Sequence, residues 1–287
     1  MIKVLKAGFY TSIQDRGRVG FASVGVPVSG AMDQYSANIA NSILNNDLED
    51  AVLEITFGGC ELQFLTATII CISGADFSAK INDKLIILNS RIKVQKNDVL
   101  SFGKIKYGVR TYLAVKFGFQ SEVILNSRSF YQHITNDVII RKNCILPIIA
   151  YGNDLESSNT SLKIVKSHFD AQEINCFKGP EFELLNRDQQ EKIAEQPFTI
   201  SKDNNRMGFR LNEIIHNSLP SILTSAVQPG TVQLTPSGKL IILMKDCQVT
   251  GGYPRVLQLT AASIDKLSQK TTNQQLLFFI SQRSLQS

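Results

Sequence analysis

The sequence lacks several features that define common classes of protein. It has no stretch of 18 consecutive apolar residues, so it predicts no membrane-spanning helix. Its five cysteines are odd in number and none belongs to a C-x-x-C pair, which argues against a disulfide framework or a zinc knuckle. The opening MIKVLKAGFYTS has neither the apolar core nor the cleavage site of a signal peptide. Together these absences predict a protein of the reducing cytoplasm.

Motifs of common nucleotide, hydrolase and metal sites are absent as well. No G-x-x-x-x-G-K-[ST] stretch occurs, and the nearest approach, Gly25–Ala31, lacks the lysine of a P-loop. There is no G-x-S-x-G elbow, and the three histidines are too far apart to suggest metal ligands. The net charge of +5 comes without a dense Lys/Arg cluster interleaved with aromatics. We therefore expect neither a histidine metal centre nor nucleic-acid binding.

The composition, by contrast, predicts an ordered protein with a large core. Hydrophobic residues make up 43% of the 287 residues and charged residues 19%. Most of the chain consists of short apolar or alternating runs separated by Gly, Asn and Asp, which is typical of antiparallel strands in a barrel or sandwich. The predicted strands are Ile2–Leu5, Val52–Thr56, Glu61–Phe64, Ile69–Ile72, Leu85–Leu88, Ile92–Val94, Val99–Phe102, Arg110–Val115, Leu162–Val165, Ile174–Phe177, Thr231–Leu234, Leu240–Met244, Val256–Leu259 and Leu276–Ile280.

A few short helices interrupt these strands. Asp33–Asn45 has Asp33 as a plausible N-cap and places apolar side chains at i, i+4 and i+8 on one face. Glu181–Glu195, which is rich in Glu, Gln and Lys, and Ala261–Ser268 are also predicted helices. The polar stretch 151–160 is predicted to connect two β-rich halves, 1–150 and 161–287.

The segment Gln14–Asp33, QDRGRVGFASVGVPVSGAMD, is the densest in polar residues and glycine. Glycine permits close backbone approach, and Arg16 and Arg18 suit a carboxylate or phosphate. The backbone N–H groups near Ser29 and Gly30 lead into a helix N-terminus, which favours anions. The segment therefore fits a loop around a small anionic ligand. A pair of tight turns with an Asp–Arg salt bridge fits equally well.

Two later segments carry similar signals. Asp246–Arg255, DCQVTGGYPR, follows an apolar strand and places polar side chains at a strand end, where binding groups are common. An ordinary hairpin turn is the competing interpretation. Asp203–Arg210, DNNRMGFR, either adds positive charge to an anion site or forms a solvated turn.

These segments, taken in order, resemble the signatures of the C subunit of bacterial 5-oxoprolinase, a family also described as allophanate hydrolase subunit 2 or biotin-dependent carboxyltransferase-like. The resemblance runs from about residue 3 to residue 280. It is carried by TSIQDRGRVGFASVGVPVSGAMD (11–33), GVRTYLAV (108–115), the GP turn of FKGPEFELL (177–185), RMGFRL (206–211) and DCQVTGGYP (246–254).

Two departures from the family pattern affect one loop. The family usually has Gly-Gly after the GVRTYLAV strand, whereas this chain has Phe117-Gly118. The usual Gly-Ser-Arg-Ser-Thr is here Asn126-Ser127-Arg128-Ser129-Phe130. If this loop contacts ligand, its shape differs from that of the family.

The resemblance implies a mainly β, cyclophilin-like fold in two halves. It implies assembly with a companion B subunit and with an A subunit. The implied reaction is the ATP-dependent opening of 5-oxoproline to glutamate through phosphorylation of the lactam carbonyl. Because there is no P-loop, the nucleotide is expected at the interface with the B subunit or mostly on the partner.

The same reaction assigns roles to the polar segments. Asp15, Asp33 and Asp246 are the candidate catalytic residues and could hold Mg²⁺ beside phosphate oxygens, although Asp33 could instead only cap its helix. The candidate residues for the anions and for orienting the lactam ring are Arg16, Arg18, Ser29, Gly30, Arg206, Arg210, Gln248, Thr250 and Tyr253.

Two other functions share this resemblance. Related domains of urea carboxylase act in carboxyl transfer from biotin, which requires a biotin carboxylase and a carrier domain elsewhere. Other members are regulatory partners that sequester a B-like kinase inhibitor without turnover. The sequence alone separates the three poorly.

Overall fold

The computed structural model describes residues 1–152 and 164–281, which form two compact units. The first unit comprises Met1–Val19 and Ser29–Val165, and the second comprises Gly20–Val28 and Lys166–Ser287. The predicted connector, 151–160, lies outside the described residues except for its first two positions. No helix within the described ranges combines the length and apolarity needed to cross a membrane.

Among the residues that the structure describes, the first unit has eleven strands and one helix. In chain order these are β1 (Ile2–Ala7), β2 (Tyr10–Gln14), α1 (Gln34–Ile43), β3 (Val52–Thr56), β4 (Cys60–Phe64), β5 (Thr68–Asp76), β6 (Lys80–Ile81), β7 (Lys84–Leu85), β8 (Ile92–Val94), β9 (Val99–Ser101), β10 (Tyr107–Val115) and β11 (Ile145–Leu146). They form a six-stranded sheet in the order β11-β1-β4-β9-β6-β7 and a five-stranded sheet in the order β2-β3-β10-β5-β8.

The two sheets of the first unit share one apolar core. Alternate residues of β3, Leu53 and Ile55, join Leu62 and Phe64 of β4 in this core. Because successive side chains of a strand point to opposite faces, Val52, which precedes Leu53, points to the other face of its sheet. There it packs in a second cluster with apolar residues of α1, including Ala37, Ala40 and Ile43.

Helix α1 begins where the sequence predicts. The carboxylate of Asp33 accepts a hydrogen bond from the Ser36 backbone N–H at 3.0 Å, which satisfies one of the free amides of the first turn. Asp33 is therefore the N-cap.

The second unit is built mainly from a closed seven-stranded barrel. Its elements are α2 (Ser167–Asp170), β12 (Glu173–Lys178), α3 (Arg187–Glu195), β13 (Phe198–Asn204), β14 (Gly208–Ile214), β15 (Ser225–Ala226), β16 (Thr231–Leu234), β17 (Lys239–Leu243), β18 (Thr250–Gly251), β19 (Arg255–Leu259), α4 (Ala261–Ser268) and β20 (Gln275–Ile280). The barrel order is β12-β19-β16-β17-β14-β13-β20, and a parallel pairing of β12 with β20 closes it.

Strand order in the barrel corrects one interpretation of the Asp246–Arg255 segment. Strands β17 and β19 are not neighbours, because β16 lies between them and pairs with both. The segment is therefore a crossover connection rather than a hairpin turn. Its β18 part pairs with β15 in a separate two-stranded sheet.

Three other predictions differ from the structure. Of the predicted strand Leu85–Leu88, only Leu85 lies in a strand, the two-residue β7, and residues 86–88 do not. The predicted helix Glu181–Glu195 is a short 3₁₀ turn, Phe182–Leu184, followed by α3, because Asn186 forms a capping box with Gln189 and starts a new helix there. Of the predicted strand Leu162–Val165, residues 162–163 lie outside the described residues and 164–165 are not in a strand.

Candidate functional site

The carboxylate of Asp15 organises the polar segment of the first unit. Its Oδ1 accepts hydrogen bonds from the Gly17 N–H at 2.8 Å, Ser127 Oγ at 2.7 Å and Ser129 Oγ at 2.6 Å. Its Oδ2 accepts one from the Arg128 N–H at 2.5 Å. Four donors thus hold a side chain that is 8% exposed. Asp15 joins the turn at residues 15–17 to the loop at 127–129, and no arginine side chain pairs with it within the described residues.

The neighbouring residues predicted to bind anions make contacts within the protein. Arg16 is exposed and pairs with Glu49 at 2.7 Å. Arg18 is buried and donates to the Ser129 carbonyl. Ser29 and Gly30 both have positive φ, and a Cβ on Gly30 would lie 2.9 Å from the Arg16 carbonyl oxygen. The segment is therefore a tightly packed pair of turns around Asp15.

The loop that departs from the family pattern keeps the backbone shape of glycine. Phe117 has φ of 67° and Asn126 has φ of 59°. Both values lie in the left-handed region, which glycine adopts without strain and asparagine tolerates better than most residues. Asn126 therefore suits its position, whereas Phe117 holds a conformation that its Cβ disfavours.

Asp33 belongs to a buried polar network of the first unit. Its backbone N–H donates to the Tyr112 hydroxyl at 2.7 Å, and that hydroxyl donates to Glu54 Oε2 at 2.9 Å. Burial, with the nearby carboxylates of Glu54 and Asp33, raises the pKa of Tyr112 well above its usual range. The phenol therefore stays protonated as a donor. Asp33 itself has 0% exposed surface.

In the second unit the structure joins two predicted site residues directly. Arg206 Nε lies 2.7 Å from Asp246 Oδ2, and a second guanidinium nitrogen lies 3.0 Å from Oδ1. The backbone adds a hydrogen bond from the Asp246 N–H to the Arg206 carbonyl at 2.8 Å. Both residues are buried. The pair clamps the turn before β14 to the crossover segment after β17.

An open cleft of about 610 Å³ lies between these two segments. Its polar lining consists of two cations, one carboxylate, four amides and a phenol: Lys202, Arg210, Asp203, Asn204, Asn205, Gln233, Gln248 and Tyr253. The volume is in the range of small-molecule sites. Arg210, Gln248 and Tyr253 were predicted from the sequence, whereas Arg206, Asp246 and Thr250 do not line the cleft.

Two polar residues that the sequence did not single out also line the cleft. Lys202 of β13 adds a second cation, next to the DNNRMGFR segment. Gln233 is 2% exposed and its Nε2 has no hydrogen-bond partner in the described part of the chain. The signal for Gln233 was a lone amide inside the apolar strand TVQL.

The carboxylates do not form a magnesium site. Within residues 1–152 and 164–281, no group of three or more His, Cys, Asp or Glu residues could hold a metal ion. Asp15 is held by four donors, Asp33 caps α1, and Asp246 pairs with Arg206. These three candidate carboxylates therefore do not fit Mg²⁺.

Comparison with known proteins places this architecture in a family. Residues 24–280 match the family described as carboxyltransferase domain, subdomain A and B. Because the match extends through both units, the chain belongs to the carboxyltransferase-domain family.

Within this family the chain is similar to the C subunit of 5-oxoprolinase. The Escherichia coli protein of that name is 30% identical over 97% of this chain and 90% of its own length. The Haemophilus influenzae protein is 30% identical over 94% of this chain and 87% of its own length. Both relatives are named as one subunit of a larger enzyme.

A solved structure supports the same fold. The urea carboxylase of Kluyveromyces lactis superposes with a TM-score of 0.82 and 28% identity, over 96% of this chain and 27% of that one. This chain therefore spans about a quarter of the length of that enzyme. The expected mainly β, cyclophilin-like fold is confirmed.

Proposed function

We propose that this chain is the C-type subunit of a 5-oxoprolinase, which converts 5-oxoproline to glutamate with ATP and works with A and B subunits. The observation that carries the proposal is the cleft of the second unit, which combines two cations with several amides. It occurs in a chain that resembles the C subunit of Escherichia coli 5-oxoprolinase over 97% of its length.

The chemistry of the substrate matches this lining. 5-Oxoproline is a five-membered lactam that carries a carboxylate. Lys202 and Arg210 attract the carboxylate, and the arginine can hold it with two parallel hydrogen bonds. Gln248 and Tyr253 line the same cleft and orient the lactam ring through their amide and hydroxyl groups.

The other polar residues predicted for the site hold backbone segments in place. Arg206 and Asp246 hold the two segments that border the cleft. Asp15 holds the loop at 127–129, and Asp33 holds the start of α1. We propose that these residues position the chain and do not contact the substrate.

ATP, when bound by the assembled enzyme, supplies the phosphoryl group that makes the lactam carbonyl oxygen a leaving group. Since the three candidate carboxylates are occupied by other contacts and the sequence has no P-loop, we assign the Mg²⁺·ATP site to the other components of the enzyme. The task of this chain is then to bind and orient the lactam.

The test is a reconstitution. The chain is co-expressed with its A and B subunits, and ADP and glutamate formation from ATP and 5-oxoproline are measured with each component omitted in turn. Turnover is expected to require this chain. Arg210→Gln should raise KM for 5-oxoproline about tenfold through loss of a charge-assisted hydrogen bond.

Arg187→Gln is the matched control, because Arg187 is exposed on α3 and pairs with Glu191 on the same helix. It should leave KM unchanged. A complex that assembles but shows no 5-oxoproline-dependent turnover would reject the proposal.

A second candidate is a carboxyltransferase module that works with carboxybiotin. The likeness to Kluyveromyces lactis urea carboxylase, at 28% identity and a TM-score of 0.82, favours it. The two functions separate in one assay: carboxyl transfer requires a biotin carboxylase and a biotinylated carrier, whereas the oxoprolinase reaction requires neither.

A further inference from the structure

Three cleft residues stand in one row across neighbouring strands of the barrel. Gln233 of β16 is the cross-strand partner of Ile241 of β17, and Ile241 is the partner of Arg210 of β14. Directly paired residues project their side chains to the same face of a sheet. The row therefore presents an amide, an apolar side chain and a guanidinium, in that order.

The row lies on the outer face of the barrel. Val232 and Leu234, which flank Gln233, are fully buried, as are Phe209 and Leu211, which flank Arg210. By the two-residue period of a strand, these flanking side chains fill the interior and the row faces outward. Gln233 is nevertheless 2% exposed, because the crossover segment covers it.

Gly251 of the crossover segment fixes where the Gln233 amide lies. A Cβ on Gly251 would lie 2.5 Å from Gln233 Nε2, so any side chain there would displace the amide. The register between β16 and β19 also shifts at this point, between Val232 and Gln233. Such irregularities often redirect a side chain beside a functional site.

The Gln233 amide is the unusual member of the row. Its Nε2 is buried and has no hydrogen-bond partner among the described residues. Leaving a buried donor unsatisfied is costly, so such a group calls for an explanation. A side-chain amide carries both donor and acceptor, and turning its last bond exchanges their positions. It therefore matches a ligand that presents N–H and C=O side by side.

We propose that the row Gln233–Ile241–Arg210 recognises a small cyclic amide that bears a carboxylate. Gln233 bonds the amide edge, Ile241 contacts the ring methylenes and Arg210 binds the carboxylate. Strands lie roughly 4.8 Å apart, so the backbones of Gln233 and Arg210 are separated by roughly 10 Å. Both long side chains line the cleft. This inference rests on the proposed function and names the residues that select its substrate.

The test compares two ligands with the full-length chain, by ligand-observed saturation-transfer NMR and titration. 5-Oxoproline carries both groups, whereas 2-pyrrolidinone keeps the lactam and lacks the carboxylate. Gln233→Leu is expected to weaken binding of both ligands about tenfold, which corresponds to about 1.4 kcal/mol. Arg210→Gln should weaken binding of 5-oxoproline by a similar factor and leave binding of 2-pyrrolidinone unchanged.

Two glycine variants test the position of the amide. Gly251→Ala should weaken both ligands because it displaces Gln233. Gly252→Ala is the matched control, since its Cβ would meet only the Ile222 carbonyl at 3.4 Å. Gln233→Leu removes a buried Nε2 that has no hydrogen-bond partner among the described residues and introduces an apolar group of similar size, so it should not lower the melting temperature.

The proposal would be overturned if Gln233→Leu bound each ligand as tightly as the wild type does. It would also be overturned if the wild type bound neither ligand. A drop in melting temperature with unchanged binding would also overturn it, since Gln233 would then be structural. Reconstituted turnover is a separate measurement. If the reconstituted enzyme turns over and Gln233→Leu leaves KM unchanged, this inference fails and the proposed function stands. If the chain binds the lactam through this row but the complex shows no turnover, the proposed function fails and this inference stands.

Discussion

Replacing Asp246 by alanine is expected to destabilise the second unit by about 3–5 kcal/mol, because the change leaves a buried guanidinium without its carboxylate. Arg206 and Asp246 are 7% and 8% exposed, and two hydrogen bonds of 2.7 and 3.0 Å join them. Removing either partner alone should therefore be severe. Replacing both by apolar residues should cost much less, because no unpaired charge remains.

A double-mutant cycle measures this difference. The variants are Asp246→Leu, Arg206→Met and the combination. We expect an interaction energy of about 2–3 kcal/mol between the two sites, at the upper end for residues in direct contact. The surface pair Arg187–Glu191 on α3 is the matched control, and its interaction energy should be about 0.5 kcal/mol or less.

The chain has no tryptophan and seven tyrosines, so urea unfolding is best followed by far-UV circular dichroism and tyrosine fluorescence. Hydrogen exchange adds local information. The amide of Asp246, which donates to the Arg206 carbonyl, should lose protection in both single variants. Additive single and double variants, or unchanged protection at this amide, would refute the clamp and return Asp246 to the candidates for direct catalysis.

Three further outcomes follow from individual contacts. Gly179→Ala should cost about 3 kcal/mol or prevent folding, since its Cβ would lie 2.1 Å from the Arg255 carbonyl; urea unfolding checks this against Gly252→Ala, and equal stability would contradict it. One thiol of five, Cys144, should react with Ellman's reagent in the native chain, because burial raises the pKa of the other four to about 12; a second fast thiol would be inconsistent with that burial. The hydrogen bond from Arg255 lowers the pKa of Glu181, so this pair stabilises the fold above the unfolded pKa of about 4.3 and its contribution is lost as pH falls further. The difference in melting temperature between wild type and Glu181→Gln should therefore be largest near pH 7 and shrink on acidification; a constant difference would contradict the pairing.

Local sequence signals sufficed for some of the regular elements but missed the strands β2, β13 and β14. The runs Val52–Thr56, Ile92–Val94 and Thr231–Leu234 and the helix Ala261–Ser268 have the predicted limits, because apolar alternation and capping are local properties. The two-residue strands β6 and β7 have too few residues to show a period. Their existence depends on pairing with β9 and with each other.

In the candidate site, too, some features follow from local sequence and others depend on strand pairing. The polar segments at 203–210 and 246–255 were visible from composition, but their pairing is not a local property. Arg206 and Asp246 are 40 positions apart and meet because β14 pairs with β17. The Gln233–Ile241–Arg210 row depends on the register of three strands, which no single segment encodes. Gly251, Gly252 and Pro254 indicated a turn, but they carry no information on which strand lies between β17 and β19.

Closure of the barrel has a consequence for assembly. Each of its seven strands has a neighbour on both sides, because β20 pairs with both β12 and β13. A partner protein therefore cannot extend the barrel by adding a strand and must engage it through side chains and connecting loops. The two open sheets of the first unit end in β11, β7, β2 and β8. Among these larger sheets, strand addition by a partner is confined to those four edges, and contacts with the cleft side of the barrel must be made by side chains and loops.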